Sequence, residues 1–245
     1  YFSPLKTKLV IIVERFLAKR SKTLVSVGAQ VRDDLLAAGI GTPDQYLVIP
    51  PGISLGPIPN ATTSRNALGV SSDATTITFL GRITGIKRPD RFAQVALQVT
   101  SQNPKVHFLI VGSGDLADAL KSQLSKISSQ VTFLGWRSDV ENILSATDIL
   151  LLTSDNEGTP ISAIQAGMAG IPTISTNVGS VSEVIKDGSS GVLTSLDVTE
   201  IVNAVQSLLS DPSLRNRLGE SAKIDMSARY GVARLVSDYQ KLYLL

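Results

Sequence analysis

Ile149-Leu150-Leu151-Leu152-Thr153-Ser154-Asp155-Asn156-Glu157-Gly158-Thr159-Pro160-Ile161-Ser162-Ala163-Ile164-Gln165-Ala166 is the stretch on which the fold turns. Its first four residues form an unbroken apolar run, the pattern of a parallel strand covered on both faces. Pro160 suits the first turn of a helix, where its missing N–H would have no helical partner anyway. Strand, acidic glycine loop and helix in that order make half of a βαβ unit. Ligands of open parallel sheets bind in the crevice beyond the carboxyl ends of the strands. Glu157 therefore stands where a functional carboxylate is expected; the alternative is a solvated turn residue that favours the helix dipole.

The same alternation extends in both directions. Strands are predicted at residues 76–80, 106–111, 131–134, 148–152, 173–175 and 191–193. Amphipathic helices are predicted between and after them, at 89–100, 116–126, 140–146, 160–169, 181–186, 198–209 and 212–229. Right-handed crossovers turn such a series into a Rossmann-like, doubly wound parallel sheet of the α/β class. Residues 1–50 differ: a helix, a strand at 24–27, a helix at 30–38 and a strand at 46–49 make only part of a domain. Residues 50–60 hold four prolines and two glycines, so an interdomain linker is placed at 51–60. The chain begins with Tyr1 inside a helical pattern, and is expected to be a piece of something longer.

Composition excludes several classes of chemistry. With 245 residues, 43% of them hydrophobic, the chain can fill a sizeable core. A formal charge of +2 with dispersed Lys and Arg gives no footprint for nucleic acid. There is no cysteine and one histidine, so thiolate nucleophiles, disulfides and multi-histidine metal sites are not expected. His107 lies inside the apolar run 106–111 and reads as a strand histidine. No apolar run approaches the roughly 18 to 20 residues of a membrane span, and Glu14 and Arg15 interrupt any signal-peptide profile, so a soluble cytoplasmic protein is expected. Leu5, Leu9, Ile12 and Phe16 follow helical spacing among Lys6, Lys8, Arg15, Lys19 and Arg20. That face suits packing against protein, with peripheral contact at the inner face of the membrane as the alternative.

Three glycine turns carry candidate chemistry. Leu80-Gly81-Arg82-Ile83-Thr84-Gly85-Ile86-Lys87-Arg88-Pro89 follows a strand and opens a helix. Glycine lets backbone approach an anion, the helix start supplies free N–H groups, and Arg82 and Lys87 suit a diphosphate. A solvated basic turn is the competing reading. In Val111-Gly112-Ser113-Gly114-Asp115 the third glycine of a dinucleotide fingerprint is missing. A tight turn with Asp115 capping the next helix competes there with direct ligand contact. Gly135-Trp136-Arg137 follows the third strand, and Trp136 there is either packing or a wall for a base.

In order and spacing, Gly81-Arg82 with Lys87, Val111-Gly112-Ser113-Gly114, Phe133-Leu134-Gly135 and Glu157-Gly158-Thr159-Pro160 resemble the retaining glycosyltransferases of family 4. Ala166-Gly167-Met168-Ala169-Gly170-Ile171-Pro172, the run Asn177 to Ile185 and Asp187-Gly188-Ser189-Ser190-Gly191 extend the resemblance. Val48-Ile49-Pro50-Pro51-Gly52-Ile53 looks like the segment that leaves the first domain of those enzymes, although Pro51 stands where asparagine is usual.

The resemblance implies the second half of a two-domain GT-B architecture. Residues 1–50 would be the remnant of an otherwise missing acceptor domain, 61–230 the nucleotide-sugar-binding domain, and 231–245 a helix crossing back. The donor would be a UDP- or GDP-sugar, with no metal or other cofactor, and the acceptor a glycan, lipid or small molecule. By the resemblance, Arg82 and Lys87 neutralise the departing diphosphate and Glu157 faces the donor sugar. The N–H groups of Gly158, Thr159 and Ile161 hold phosphate or sugar oxygens, and Pro160 has none to give. The family's second glutamate, which accepts from the ribose hydroxyls, is here Gln165. A neutral bond in place of a charge-assisted one costs about 1 kcal/mol. Helical spacing sets Gln165 beside Ile161 and turned toward the core, which puts its reach to a nucleotide in question. A binding module without transfer activity and a nucleotide-sugar epimerase are the competing functions, the latter disfavoured by the lack of clustered carboxylates and histidines.

Overall fold

The computed structural model describes residues 4–244. Tyr1 and Leu245, the expected ends of the first and last helices, lie outside them. The chain opens with α1 (Pro4–Ala18), β1 (Leu24–Ser26), α2 (Ala29–Ala37) and β2 (Tyr46–Val48), and β1 and β2 form a two-stranded parallel sheet. After the proline-rich stretch come α3 (Ala61–Ala67), β3 (Thr75–Leu80), α4 (Pro89–Gln102), β4 (Val106–Val111), α5 (Ala117–Gln123) and β5 (Val131–Gly135). Then follow α6 (Val140–Ser145), β6 (Ile149–Leu152), α7 (Ile161–Met168), β7 (Thr173–Thr176), α8 (Val181–Val184) and β8 (Gly191–Thr194). Three helices close the chain: α9 (Val198–Ser210), α10 (Pro212–Tyr230) and α11 (Val232–Tyr243).

The six strands β3 to β8 form one parallel sheet in the order β5-β4-β3-β6-β7-β8. The chain builds outward from β3 to the β5 edge, then returns through α6 to lay β6 on the other side of β3. That reversal leaves a crevice between the loops after β3 and β6, the switch point where parallel sheets hold ligands. It brings together loops that are 70 residues apart in sequence.

The apolar run 149–152 is buried throughout because helices cover both faces. Ile149 and Leu151 face one cluster with Phe92, Val95, Val99, Ile201, Val205 and Leu208, and Leu150 and Leu152 face another with Ile164, Val181 and Met226. Phe92 makes edge-to-face contacts with Phe79 and Phe108 at 5.4 and 5.8 Å between ring centroids. His107 is half-buried in β4, its Nε2 2.8 Å from Thr132 Oγ1.

Several local expectations are corrected. Helix α3, not expected from its polar sequence, is started by Asn60, whose side chain accepts from the N–H groups of Thr62 and Thr63. Asp115 does not cap α5: the cap position is Leu116, without a side-chain bond, and α5 gives way to a 3₁₀ turn at Ser125–Gln130. Helix α8 stops at Val184 because Ile185 turns extended into the core and the Lys186 N–H is taken by Ser190 Oγ at 2.9 Å. Pro160 is the cap residue of α7 and not its first helical residue.

On α1, Leu5, Leu9, Ile12 and Phe16 are all more than half exposed. Among the described residues no helix is long and apolar enough to cross a membrane. The last two helices hold the proline-rich stretch: Arg234 Nη2 of α11 donates to the carbonyls of Pro50 and Pro51, and Ile53 N–H donates to the O of Tyr230, the last residue of α10, at 2.7 Å.

Candidate functional site

Lys87 ends a 3₁₀ turn (Gly85–Lys87) in the loop after β3, and Glu157 sits in the loop after β6. Across the switch point Lys87 Nζ donates to both carboxylate oxygens of Glu157, at 2.6 and 2.9 Å. Ser154 Oγ donates to Glu157 Oε1 at 2.6 Å. Glu157 is only 7% exposed, and a carboxylate so buried is tolerable when its charge is paired and its oxygens are hydrogen-bonded. In the basic loop Lys87 is thus held by the acid across the crevice, while Arg82 is exposed. The lysine balances the acid of the other loop.

Further contacts tie the two loops. Asp155 N–H donates to Ile86 O at 2.9 Å, and Thr153 Oγ1 donates to the carbonyls of Lys87 and Arg88 at 3.2 Å. Arg88 is the one non-glycine with positive φ among the described residues, at +51°. Its guanidinium reaches Asp90 at 2.9 and 2.8 Å and Asp155 at 3.2 and 3.1 Å, which offsets the backbone strain. Burial pushes the Asp155 carboxyl up, but hydrogen bonds from Arg91 and Arg88 outweigh it and hold the group below its ordinary value.

Two glycines make the close approaches. At Gly112, with φ +136°, a Cβ would lie 1.8 Å from Gly81 O, so the first two glycine turns can touch only without a side chain there. At Gly179, with φ +54°, a Cβ would lie 2.1 Å from Glu157 O, beside the 2.9 Å bond from Ser180 N–H to that same carbonyl.

Three adjoining cavities share Arg82 as a wall. One of about 570 Å³ is bounded by Arg82, Ile86, Lys87, Asn156, Glu157 and Gly158. The next, about 390 Å³, includes Gly81, Lys87, Glu157, Thr159, Pro160, Ile161 and Gln165. Thr159 Oγ1 is buried there without a hydrogen-bond partner. Gln165 thus faces the cleft and not the core, because α7 buries Ala163, Ile164, Ala166 and Gly167 and leaves Ile161 on the open side. The third cavity, about 210 Å³, is lined by Gly81, Gly112, Trp136 and Arg137 among others. Trp136 is 73% exposed, so it is not core packing. Arg137 is bound to Asp139 at 2.7 and 2.6 Å, a contact that holds the Asp139 carboxyl well below the usual range. Gly114 lines none of the three and lies under Ile83, whose carbonyl a Cβ would approach to 2.2 Å.

Among the described residues no group of three or more His, Asp or Glu side chains is placed to hold a metal ion. Sequence reasoning passed over Ser154, Asp155, Arg88, Arg91 and Gly179. Ser154 and Asp155 stood inside the quoted stretch, but nothing in a linear sequence prefers one of them as the partner of Glu157.

A family model described as "Glycosyl transferases group 1" matches residues 60–225, the whole six-stranded layer. The chain belongs to that family. Among curated relatives, an Escherichia coli UDP-Gal:alpha-D-GlcNAc-diphosphoundecaprenol alpha-1,3-galactosyltransferase is 27% identical, over 99% of this chain and 66% of that enzyme. A D-inositol 3-phosphate glycosyltransferase of Stackebrandtia nassauensis is 31% identical, over 90% of this chain and 53% of its own length. The chain thus spans between half and two thirds of these two relatives. Anabaena HepE, solved in complex with UDP-glucose, superposes with a TM-score of 0.87 at 22% identity, over 99% of this chain and 70% of HepE. That likeness shows the fold, the Rossmann-like second half of a GT-B glycosyltransferase.

Proposed function

We propose that this chain is the donor-binding half of a retaining hexosyltransferase of family 4 that takes a UDP-sugar. The observation that carries the reading is the meeting of Lys87 with Glu157 in one cleft at the switch point, with Arg82 on every wall. On entry the donor diphosphate takes over Lys87 and Arg82, whose cations stabilise the departing nucleotide without a metal. Glu157, released from Lys87, faces the sugar. The N–H groups of Gly158, Thr159 and Ile161, at the start of α7, and the unpartnered Thr159 hydroxyl receive phosphate or sugar oxygens. Gly81 and Gly112 allow close backbone approach, Gln165 meets the ribose, and Trp136 and Arg137 border the base. Uridine as the base is supported by the UDP-Gal in the E. coli relative's name and by the UDP-glucose bound to HepE.

Residues 1–50 are read as part of the acceptor side, 51–60 as the linker and 231–245 as the return crossing. The acceptor is a glycan, lipid or small molecule, and transfer is expected of the full-length protein rather than of this chain alone. A second reading, a binding module without transfer, is favoured by Gln165, which supplies no charge to the ribose. Calorimetry with UDP beside a transfer assay with UDP-hexoses separates them, and NMR of the product gives its anomeric configuration. Binding with turnover and an α-linked product from an α-linked donor is expected. Binding without turnover favours the module, an inverted product overturns retention, and no affinity for UDP overturns both readings.

A further inference from the structure

Arg91 occupies the first turn of α4, one residue before Phe92 on a helix whose other core positions include Val95, Ala96 and Val99. It is only 5% exposed. A guanidinium there is costly to bury unless every donor finds a partner, and an aliphatic side chain would cover the same surface without that penalty. The charge therefore needs a reason, and its bonds supply one. Nη1 donates to Thr153 O at 2.6 Å and to Ser154 O at 3.5 Å, and Nη2 donates to Asp155 Oδ1 at 2.8 Å. All three acceptors lie on the loop of Glu157, whereas Arg91 itself is fixed to the loop of Lys87 by the start of α4.

The chain of contacts continues to the acid. Ser154, whose carbonyl Arg91 approaches, sends its hydroxyl to Glu157 Oε1. Thr176 Oγ1 holds the same Ser154 carbonyl from the side of β7, at 2.7 Å. Arg91 lines none of the three cavities, so its side chain stands behind the cleft wall and not in it.

We propose that Arg91 is a positioning residue for sugar transfer, setting the register between the Lys87 loop and the Glu157 loop through the Thr153 and Ser154 carbonyls and Asp155. The proposal rests on the reading of the cleft as a donor site. While the cleft is empty, the Lys87–Glu157 pair itself links the loops. Once a diphosphate claims Lys87, that link is gone, and the Arg91 bolt, together with the contacts of Thr153 and Asp155, keeps Glu157 and its serine from drifting. A displacement of about 1 Å at a reacting centre is enough to lower a rate about a hundredfold.

The test uses the full-length protein, with UDP affinity by calorimetry, kcat and KM for the UDP-sugar, and the melting temperature of each variant. Arg91→Met is expected to lower kcat by about a hundredfold while leaving UDP affinity and KM near wild type. Arg91→Lys should recover part of the loss, because an ammonium reaches some of these acceptors but cannot fork across them. Asp155→Asn, at a partly exposed position, serves if Arg91→Met does not fold, and should lower kcat by about tenfold with UDP binding unchanged. Wild-type kcat in a folded Arg91→Met or Asp155→Asn protein overturns the proposal. So does a loss of kcat that runs parallel to losses in UDP affinity and melting temperature, since that marks a merely structural residue. A wild-type protein that binds no UDP instead overturns the donor-site reading beneath it.

Discussion

Replacing Lys87 by methionine keeps most of the stem and removes the charge, and leaves Glu157 buried at 7% exposure with Ser154 as its remaining side-chain partner. Breaking a fully buried ion pair costs about 3–5 kcal/mol, and an exposed pair contributes about 0–1 kcal/mol. This pair lies between those limits: the carboxylate is enclosed, while the Lys87 side chain is 20% exposed at a cleft of about 570 Å³. A loss of about 2 kcal/mol follows, which for a chain of this size lowers the melting temperature by about 4–8 °C. Glu157→Gln leaves Lys87 free to turn to water and keeps one carbonyl acceptor, so its loss is smaller, about 1 kcal/mol. In the double variant no charge is left stranded, and the total loss should stay near about 1–1.5 kcal/mol rather than the sum. The coupling of about 1.5–2 kcal/mol is measured by urea and thermal denaturation of the four proteins at neutral pH. Because the pair is largely shielded, the coupling should persist in about 0.5 M salt, where an exposed pair would be screened. Additive losses, with a coupling under about 0.5 kcal/mol, would refute the pairing of the two loops in the empty protein.

Two further predictions address the neighbourhood of the cleft and strand β4. Arg88→Gly and Arg88→Ala both remove the contacts to Asp90 and Asp155, but only alanine must hold φ +51°. The glycine variant should be the more stable of the two by about 1 kcal/mol in urea denaturation, and equal midpoints would show that the left-handed backbone is not strained. Burial lowers the His107 pKa below its usual 6.5. Between the two values the unfolded chain holds a proton that the folded one lacks, so stability falls as pH drops below about 6.5 and levels off below the folded value. His107→Gln should flatten that part of the stability profile measured between about pH 7.5 and 5, and an unchanged slope would assign it to other groups.

Much of the layer sandwich was legible because strands such as β4 and β6 are short apolar runs and crossovers such as α4 and α9 are 3.6-period helices, signals that survive in a linear sequence. Misread elements had local causes that the pattern does not encode. Asp115 looks like a cap, yet the chain turns once more before α5 begins. Helix α3 is polar and is held by one asparagine at its start. Gln165 seemed core-facing because Ile161 shares its side of α7; in the fold that side opens on the cleft and Ile161 opens with it.

The residue types at the strand ends were determined by sequence alone: three cations with two glycines after β3, an acid before a glycine after β6. Their partnership was decided only by the tertiary structure, because the reversal of strand order at β3 and β6 sets side by side two loops with no local relation. The same holds for Arg91, which as a sequence letter is one more charge on an amphipathic helix. Its role as a bolt exists only where α4 lies against the end of β6, since a buried guanidinium takes its meaning from the acceptors that folding brings to it.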